Sequence, residues 1–306
     1  MEKVSDDKIV VLVSTYNGEA YLRCQLDSLI HQTRKAEILI RDDGSSDSTR
    51  IILKEYANKY PNIRWYTGKN LKPAHSFYDL IMNVSKAYDY YFFCDQDDVW
   101  LNDKLEIAVD RLKDYKFTPA MYYSATKLVD SKLNIIGENF RNPNYSRSLI
   151  CSFLHGSLIT GCTICINKEL LMKLKQYTPV SMSMHDAWIH RLCLSIGGEI
   201  IADSTPHILY RQHSSNVLGL HKRKKNDILK SFFSSCPIHL NMALQILNNY
   251  GESADFPSEN KCFLNDFVCY KKNICSYIRF LCKIIFAHID IKTKIIIILK
   301  ILMKRY

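Results

Sequence analysis

The sequence predicts an α/β fold: a doubly wound sheet within residues 1–220, followed by a basic, helical C-terminal appendage over residues 221–306. Three observations predict it. Short apolar runs rich in β-branched or aromatic residues (9–13, 37–40, 63–66 and 90–94) alternate with segments of helical period, the pattern of parallel strands joined by crossover helices. Polar, acid-rich clusters follow the first, second and fourth of these runs. The charge is also segregated: residues 1–220 carry 26 Lys+Arg against 25 Asp+Glu, whereas residues 221–306 carry 15 against 6.

The elements follow in order. Ile9, Val10, Val11, Leu12 and Val13 form a continuous apolar run, as expected of a strand buried on both faces. Leu22, Leu26, Leu29 and Ile30 recur at helical spacing and predict a helix over 19–32. A second strand at 37–40 leads to a helix over 48–60, stopped by Pro61. A third strand at 63–66 leads to a helix over 73–87 with Pro73 in its first turn. The fourth strand, 90–94, precedes a helix capped by Asn102 and running to about Tyr115. From 121 to 167 the pattern changes, with strands expected at 121–124 and 158–166. A helix near 187–196 and strands at 199–202 and 207–210 then lead to His213. Beyond 221 apolar residues recur at helical spacing, with breaks at Pro237, Gly251 and Pro257.

Composition narrows the class. A chain of 306 residues with 47% hydrophobic content can bury a full-sized core. The 11 cysteines are odd in number and show no framework, and the start of the chain has no signal-peptide pattern, so the expected setting is a reducing cytoplasm. Cys162 and Cys165 have CxxC spacing, but no second Cys/His pair stands nearby; they read as small apolar strand residues.

Ligands of open α/β sheets bind beyond the C-terminal ends of the strands, so the polar clusters should share one rim. The first, Ser14 to Glu19, opens a helix whose N-terminus favours anions. The second, Arg41 to Ser48, sets Asp42 and Asp43 before Gly44, in a tight loop where a carboxylate can accept hydrogen bonds from a base or a ribose. The third packs Asp95, Asp97 and Asp98 into four residues. Such carboxylates repel one another, and a hard divalent cation, Mg²⁺ or Mn²⁺, relieves the repulsion while bridging a diphosphate. The chain has neither GxGxxG nor a Walker A lysine motif, which argues against a nicotinamide fold and a P-loop kinase.

Taken together, residues 11–18, Gln32-Thr33, residues 40–49 and Asp95-Gln96-Asp97-Asp98 resemble the family 2 inverting glycosyltransferases with the GT-A fold, over about residues 8–215. The Asp-Gln-Asp-Asp-Val-Trp string is similar to rhamnosyltransferase-type members that build bacterial surface polysaccharides. The resemblance implies that Thr15, Tyr16, Asn17 and Glu19 line the nucleotide pocket, and that Asp42 holds the base while Asp43 supports the loop. It implies that Asp95 touches the ribose or a metal-bound water, that Asp97 binds the metal, with Asp98 a further candidate, and that Asp186 is the general base. On the same ground His213 is a third protein ligand to the metal and Arg211 faces a phosphate. One departure stands out: where such members have Asn-Leu-Gly, a small residue and Asn-Phe, this chain has Asn70, Leu71, Lys72, Pro73, Ala74, His75, Ser76 and Phe77.

The implied reaction is a single displacement from a dTDP- or UDP-linked sugar to a hydroxyl of a glycan acceptor, lipid-linked in members of this kind. Two other classes compete. A nucleotidyltransferase would carry a Gly-rich basic first loop, which Thr15-Tyr16-Asn17-Gly18 does not supply. A non-catalytic sugar-nucleotide-binding module would have lost Asp95, Asp97 or Asp186, and all three are present. The basic C-terminal segment suits an anionic surface, and its apolar content favours lipid over nucleic acid. Its charges interrupt every apolar run before a bilayer-spanning length is reached, so the expectation is peripheral attachment to the inner face of the cell membrane, or packing on protein, including a second copy.

Overall fold

The computed structural model describes residues 7–140, 143–154, 159–213, 237–287 and 289–303. Four parallel strands form its first half: β1 (Ile9–Thr15), β2 (Glu37–Asp42), β3 (Ile63–Thr67) and β4 (Tyr90–Cys94), ordered β3-β2-β1-β4. They are joined by α1 (Leu22–Ile30), α2 (Thr49–Lys59) and α3 (Lys72–Asn83). β1 is flanked by β2 and β4, so the loops leaving these three strands meet where the strand order reverses, the usual ligand crevice of such sheets.

The second half extends the sheet with mixed pairing. β5 (Val99–Trp100) and α4 (Lys104–Leu112) follow the acidic motif. Then come β6 (Ala120–Val129), β7 (Ile135–Asn139), α5 (Pro143–Ser146), α6 (Leu149–Leu154), β8 (Cys165–Asn167), α7 (Lys168–Leu174), α8 (His185–Ser195) and β9 (Glu199–Arg211). β8 lies antiparallel between β4 and β6; β9 runs parallel to β6 and returns to the acidic loop by pairing with β5. Four helices complete the described chain: α9 (Pro237–Tyr250), α10 (Ser258–Cys269), α11 (Ile274–Phe286) and α12 (Ile291–Leu302).

Strand period explains the two cores. In β1, Ile9, Val11 and Val13 point to one face and pack with Leu22, Leu26, Ile52, Leu105 and Val109 of α1, α2 and α4. Val10 and Leu12 point to the other, into a larger core with Phe77, Ile81, Trp188 and Leu192 of α3 and α8. Met242, Phe267, Phe280 and Ile301 of the C-terminal helices continue that second core, so the appendage is packed against the sheet's own helices.

The first-half elements expected from sequence are present, with shifted ends. α1 begins at Leu22, not residue 19, because residues 18–21 form a turn in which Gly18 O accepts from the N–H groups of Tyr21 and Leu22. α3 ends at Asn83, short of residue 87. The run at 158–166 is strand only from Cys165; Gly161–Thr163 is a 3-10 turn pressed against α8. The strands expected at 199–202 and 207–210 are one strand, bridged through a register irregularity opposite Ser124 to Lys127. β5, β7 and α5 to α7 had no sequence expectation; β5 is two residues long and leaves no periodic signal. The basic runs at Lys222 to Lys225 and Lys304-Arg305, and the expected boundary near residue 220, lie outside the described residues.

Candidate active site

The loops after β1 and β2 are interlocked by backbone-to-side-chain bonds. Gly18 N donates to Thr49 Oγ1 at 2.8 Å, Asn17 N to Ser45 Oγ at 2.9 Å and Glu19 N to Asp47 Oδ2 at 3.1 Å. In return, Ser46 N donates to Asn17 Oδ1 and Ser48 N to Glu19 Oε2, both at 2.9 Å. Asn17 sits at φ 48°, a left-handed conformation that Asn tolerates. Of the four residues expected in the nucleotide pocket, Asn17 and Glu19 thus shape the loop, Thr15 is buried, and Tyr16 presents an exposed ring.

Gln96 ties the acidic motif to this loop. Its Oε1 accepts from Thr15 Oγ1 at 2.6 Å and Tyr16 N at 2.8 Å, and its Nε2 donates to Tyr16 O at 3.1 Å. A Cβ on Gly18 would fall 2.3 Å from Gln96 Oε1, so the approach requires glycine there. The carboxylates around Gln96 are legible in the sequence as a motif; the role of the amide is not, because it depends on a loop 80 residues away.

Asp42 and Asp43 are both buried, and both are engaged within the fold. Asp42 accepts from Ser45 N, Ser45 Oγ and Thr67 Oγ1. Asp43 accepts from Leu71 N and Lys72 N at 2.9 and 3.0 Å and pairs with the Arg41 guanidinium. Arg41, which carried no role in the sequence reading, is buried and also donates to Asp79 Oδ2 at 2.9 Å and Lys69 O at 3.1 Å. This network holds Lys72 at φ 66°, at the position where the resembled sequences carry glycine.

The third cluster divides into an inner and an outer side. Asp98 is fully buried: its Oδ1 accepts from Arg211 N at 3.0 Å, while Oδ2 has no hydrogen-bond partner. Ligand atoms of Asp95, Asp98 and Cys162 lie within 4.8 Å of one another. Burial pushes both Asp98 and the Cys162 thiol well above their ordinary ranges, and neighbouring carboxylates add to both shifts. A protonated, soft thiol is a poor ligand for a hard cation, so Cys162 forms a wall of the site. On the outer side, His213 Nε2 is 2.9 Å from Asp97 Oδ2. Two carboxylates and an imidazole, as in Asp95, Asp97 and His213, are donor types suited to Mg²⁺ or Mn²⁺, but among the described residues the group whose ligand atoms lie within 4.8 Å of one another is Asp95, Asp98 and Cys162; the orphaned buried oxygen of Asp98, beside Asp95, is what a bound cation would relieve.

Arg211 lies beneath that motif. The residue is 3% exposed, and its guanidinium donates to Asp97 O at 2.7 Å and Ser131 O at 2.6 Å and stacks 4.5 Å over the Tyr21 ring. The side chain therefore braces the acidic loop; the phosphate-facing orientation expected from sequence is not the one it adopts. Lys104 was not foreseen. Its ammonium is fully buried without a hydrogen-bond partner, 4.7 Å from the Trp100 ring centroid and within electrostatic reach of Asp98.

Asp186 opens α8 on the far side of this rim. It is 5% exposed and accepts from Ala187 N at 2.6 Å. Burial pushes its carboxyl up to about 6. Asp95 is pushed up to about 7, first by burial and then by the charges of Asp97 and Asp186, so the carboxylates on the two sides sense one another. His185 beside it is a neutral wall residue: it packs 4.0 Å from Phe77 and 5.6 Å from Phe93 between ring centroids, and burial lowers it to about 3. A Cβ on Gly161 would meet His185 Nε2 at 2.7 Å, so glycine there lets the 3-10 turn close against the start of α8.

Comparison with known proteins gives a consistent result. The family model described as glycosyl transferase family 2 matches residues 10–174. A dTDP-rhamnosyl transferase of Shigella flexneri, RfbG, is 30% identical over 221 residues, covering 68% of this chain and 73% of that protein. Among solved structures, S. aureus TarS in complex with UDP-GlcNAc superposes with a TM-score of 0.59 at 17% identity, covering 90% of this chain and 79% of that one. Mannosyltransferase PcManGT from Pyrobaculum calidifontis, in complex with GDP-Man and Mn²⁺, gives a TM-score of 0.51 at 15% identity, over 99% and 82% of the respective chains. At these identities the structural likeness bears on the fold alone.

Proposed function

Because the chain belongs to glycosyl transferase family 2, and is therefore an enzyme, we propose that it transfers a sugar, rhamnose being the leading candidate, from a dTDP- or UDP-linked donor to a hydroxyl of a growing, lipid-linked surface polysaccharide, inverting the anomeric centre. The similarity to a dTDP-rhamnosyl transferase supports the donor. The observation that carries the mechanism is Asp186: a carboxyl raised to about 6 by burial, at the start of α8, electrostatically coupled to Asp95 at the end of β4. A carboxylate with that affinity for protons is ionised at neutral pH and better matched to accepting one than an ordinary aspartate.

In this reading Tyr16 and the interlocked loops after β1 and β2 receive the nucleotide, and Asp42 and Asp43 keep those loops in shape. Asp97, Asp95 and His213 would hold Mg²⁺ or Mn²⁺, which when bound would offset negative charge on a diphosphate leaving group. Arg211 keeps the Asp97 backbone in place. The acceptor hydroxyl gives its proton to Asp186 as its oxygen attacks the anomeric carbon from the face opposite the diphosphate, and no covalent enzyme intermediate forms. A lipid-linked acceptor places the enzyme at the inner face of the membrane; among the described residues no helix is long and apolar enough to cross one.

A panel of dTDP- and UDP-sugars, offered with a lipid-linked glycan and either metal, tests this. The expected result is metal-dependent release of nucleoside diphosphate with one donor, and a product of inverted anomeric configuration by NMR. Release of pyrophosphate with a nucleotidylated product, or a retained configuration, would overturn it.

A further inference from the structure

We propose that the outward face of α11 and α12 is a docking surface for an anionic lipid bilayer. The proposal deepens the membrane location put forward above and is independent of the transferase chemistry. Both helices are apolar on two sides. Their inner sides supply Phe280 and Ile284 from α11, and Ile297 and Ile301 from α12, to the core. On the other side of α11, Ile274, Ile278 and Ile285 fall within an arc of about 40°, and Phe286 widens it to about 120°. On α12, Ile291, Ile295, Leu299 and Leu302 fall within about 80°. These residues face solvent: Phe286 is 80% exposed, Ile291 75% and Ile274 69%. A helix that is apolar all round belongs in a covered place, and here only half of each is covered by described residues.

Charge identifies the occupant. Residues 271–303 hold seven Lys and Arg against a single acid, Asp290; two of the seven, Arg279 and Lys283, pair with the buried Asp266 of α10, and the other five are lysines. Asp290 is occupied at the α12 N-terminus, where it accepts from Thr293 N and Tyr145 Oη. Lys271, Lys272 and Lys292 are exposed at the helix ends. A second copy seated on this face would bring the same cationic segment against itself, whereas phosphate headgroups complement it. Length sets the mode. At 13 and 12 residues the helices are about 20 and 18 Å long, short of the ~30 Å hydrocarbon core, so they lie in the interface with lysine stems reaching the headgroups.

Co-sedimentation of the full chain with vesicles of equal parts phosphatidylglycerol and phosphatidylcholine, at low and high salt, tests the surface. The wild type is expected to bind at low salt and to release progressively as salt rises. Ile278→Glu/Ile295→Glu/Leu299→Glu should weaken binding at least about tenfold, while Ile51→Glu, a more exposed control on α2, should not. Circular dichroism and transfer to a soluble acceptor fragment, both expected to match wild type, separate loss of docking from loss of fold or of catalysis. No wild-type binding to the anionic vesicles at low salt, or unchanged binding by the triple variant, would overturn the proposal. So would a wild-type dimer in sedimentation equilibrium that the triple variant converts to monomer.

Discussion

His213 Nε2 stands 2.9 Å from Asp97 Oδ2, so the residue just past the end of β9 closes onto the acidic motif that follows β4, across 116 positions of sequence. In the proposed site a cation would take the place of the proton shared by this imidazole and carboxylate, both of which are donors suited to Mg²⁺ or Mn²⁺. Asp97→Ala and His213→Ala should each weaken Mn²⁺-dependent binding of the nucleoside diphosphate by about 10- to 100-fold, measured by calorimetry with and without metal. Full wild-type activity in excess chelator would remove metal from the mechanism.

Turnover should follow the ionisation of Asp186. With its carboxyl raised to about 6, the group is a competent base only above that pH. The kcat/KM profile is therefore expected to rise tenfold per pH unit below about 6 and to level off above it. Asp186→Asn should lower kcat by about 10² or more and leave donor affinity within a few-fold. Single-turnover rates across the pH range, alongside donor titration, check both; near-normal turnover in the variant would exclude this carboxylate.

The same burial has an opposite consequence for stability. A carboxyl whose folded-state pKa lies above its unfolded value of 3.8 takes up protons on folding, so stability falls as pH rises from about 4 to about 6 and stays reduced above. Asparagine keeps the acceptor for Ala187 N without the buried charge. Asp186→Asn should thus be more stable than wild type at pH 7 to 8, by up to about 3 kcal/mol, with the difference vanishing near pH 4. Thermal unfolding at the two pH values reads this directly.

Lys72 is predicted to be a point of backbone strain. At φ 66° a side chain costs about 1–2 kcal/mol relative to glycine, while glycine returns part of that through the freedom of the unfolded chain. Lys72→Gly should raise stability by about 0.5 kcal/mol, and Lys72→Val, being β-branched, should lower it by about 1–2 kcal/mol. Urea midpoints rank the three proteins; a valine variant as stable as the glycine one would contradict the conformation assigned to Lys72.

Much of this protein was legible from local sequence. The strand–helix alternation to α4 depends on neighbours a few positions apart, and the period of Ile9 to Val13 alone foretold a strand with two buried faces. The acidic clusters were recognisable as residue types at strand ends, and the mutual repulsion of side-by-side carboxylates is what motivates the proposed cation site. What each polar side chain does was another matter. Arg211 was expected to face a phosphate, yet it braces Asp97 O and Ser131 O, partners 114 and 80 residues away. Gln96, Arg41 and Lys104 drew no attention as single letters, and their roles arise only where loops meet. The buried setting that lifts Asp186 to about 6 is likewise a property of packed neighbours, not of the residue. Local period fixes which residues form elements because it acts within one turn or one pleat; hydrogen-bond partner, burial and electrostatic setting are decided by contacts that exist only after distant segments have closed on one another.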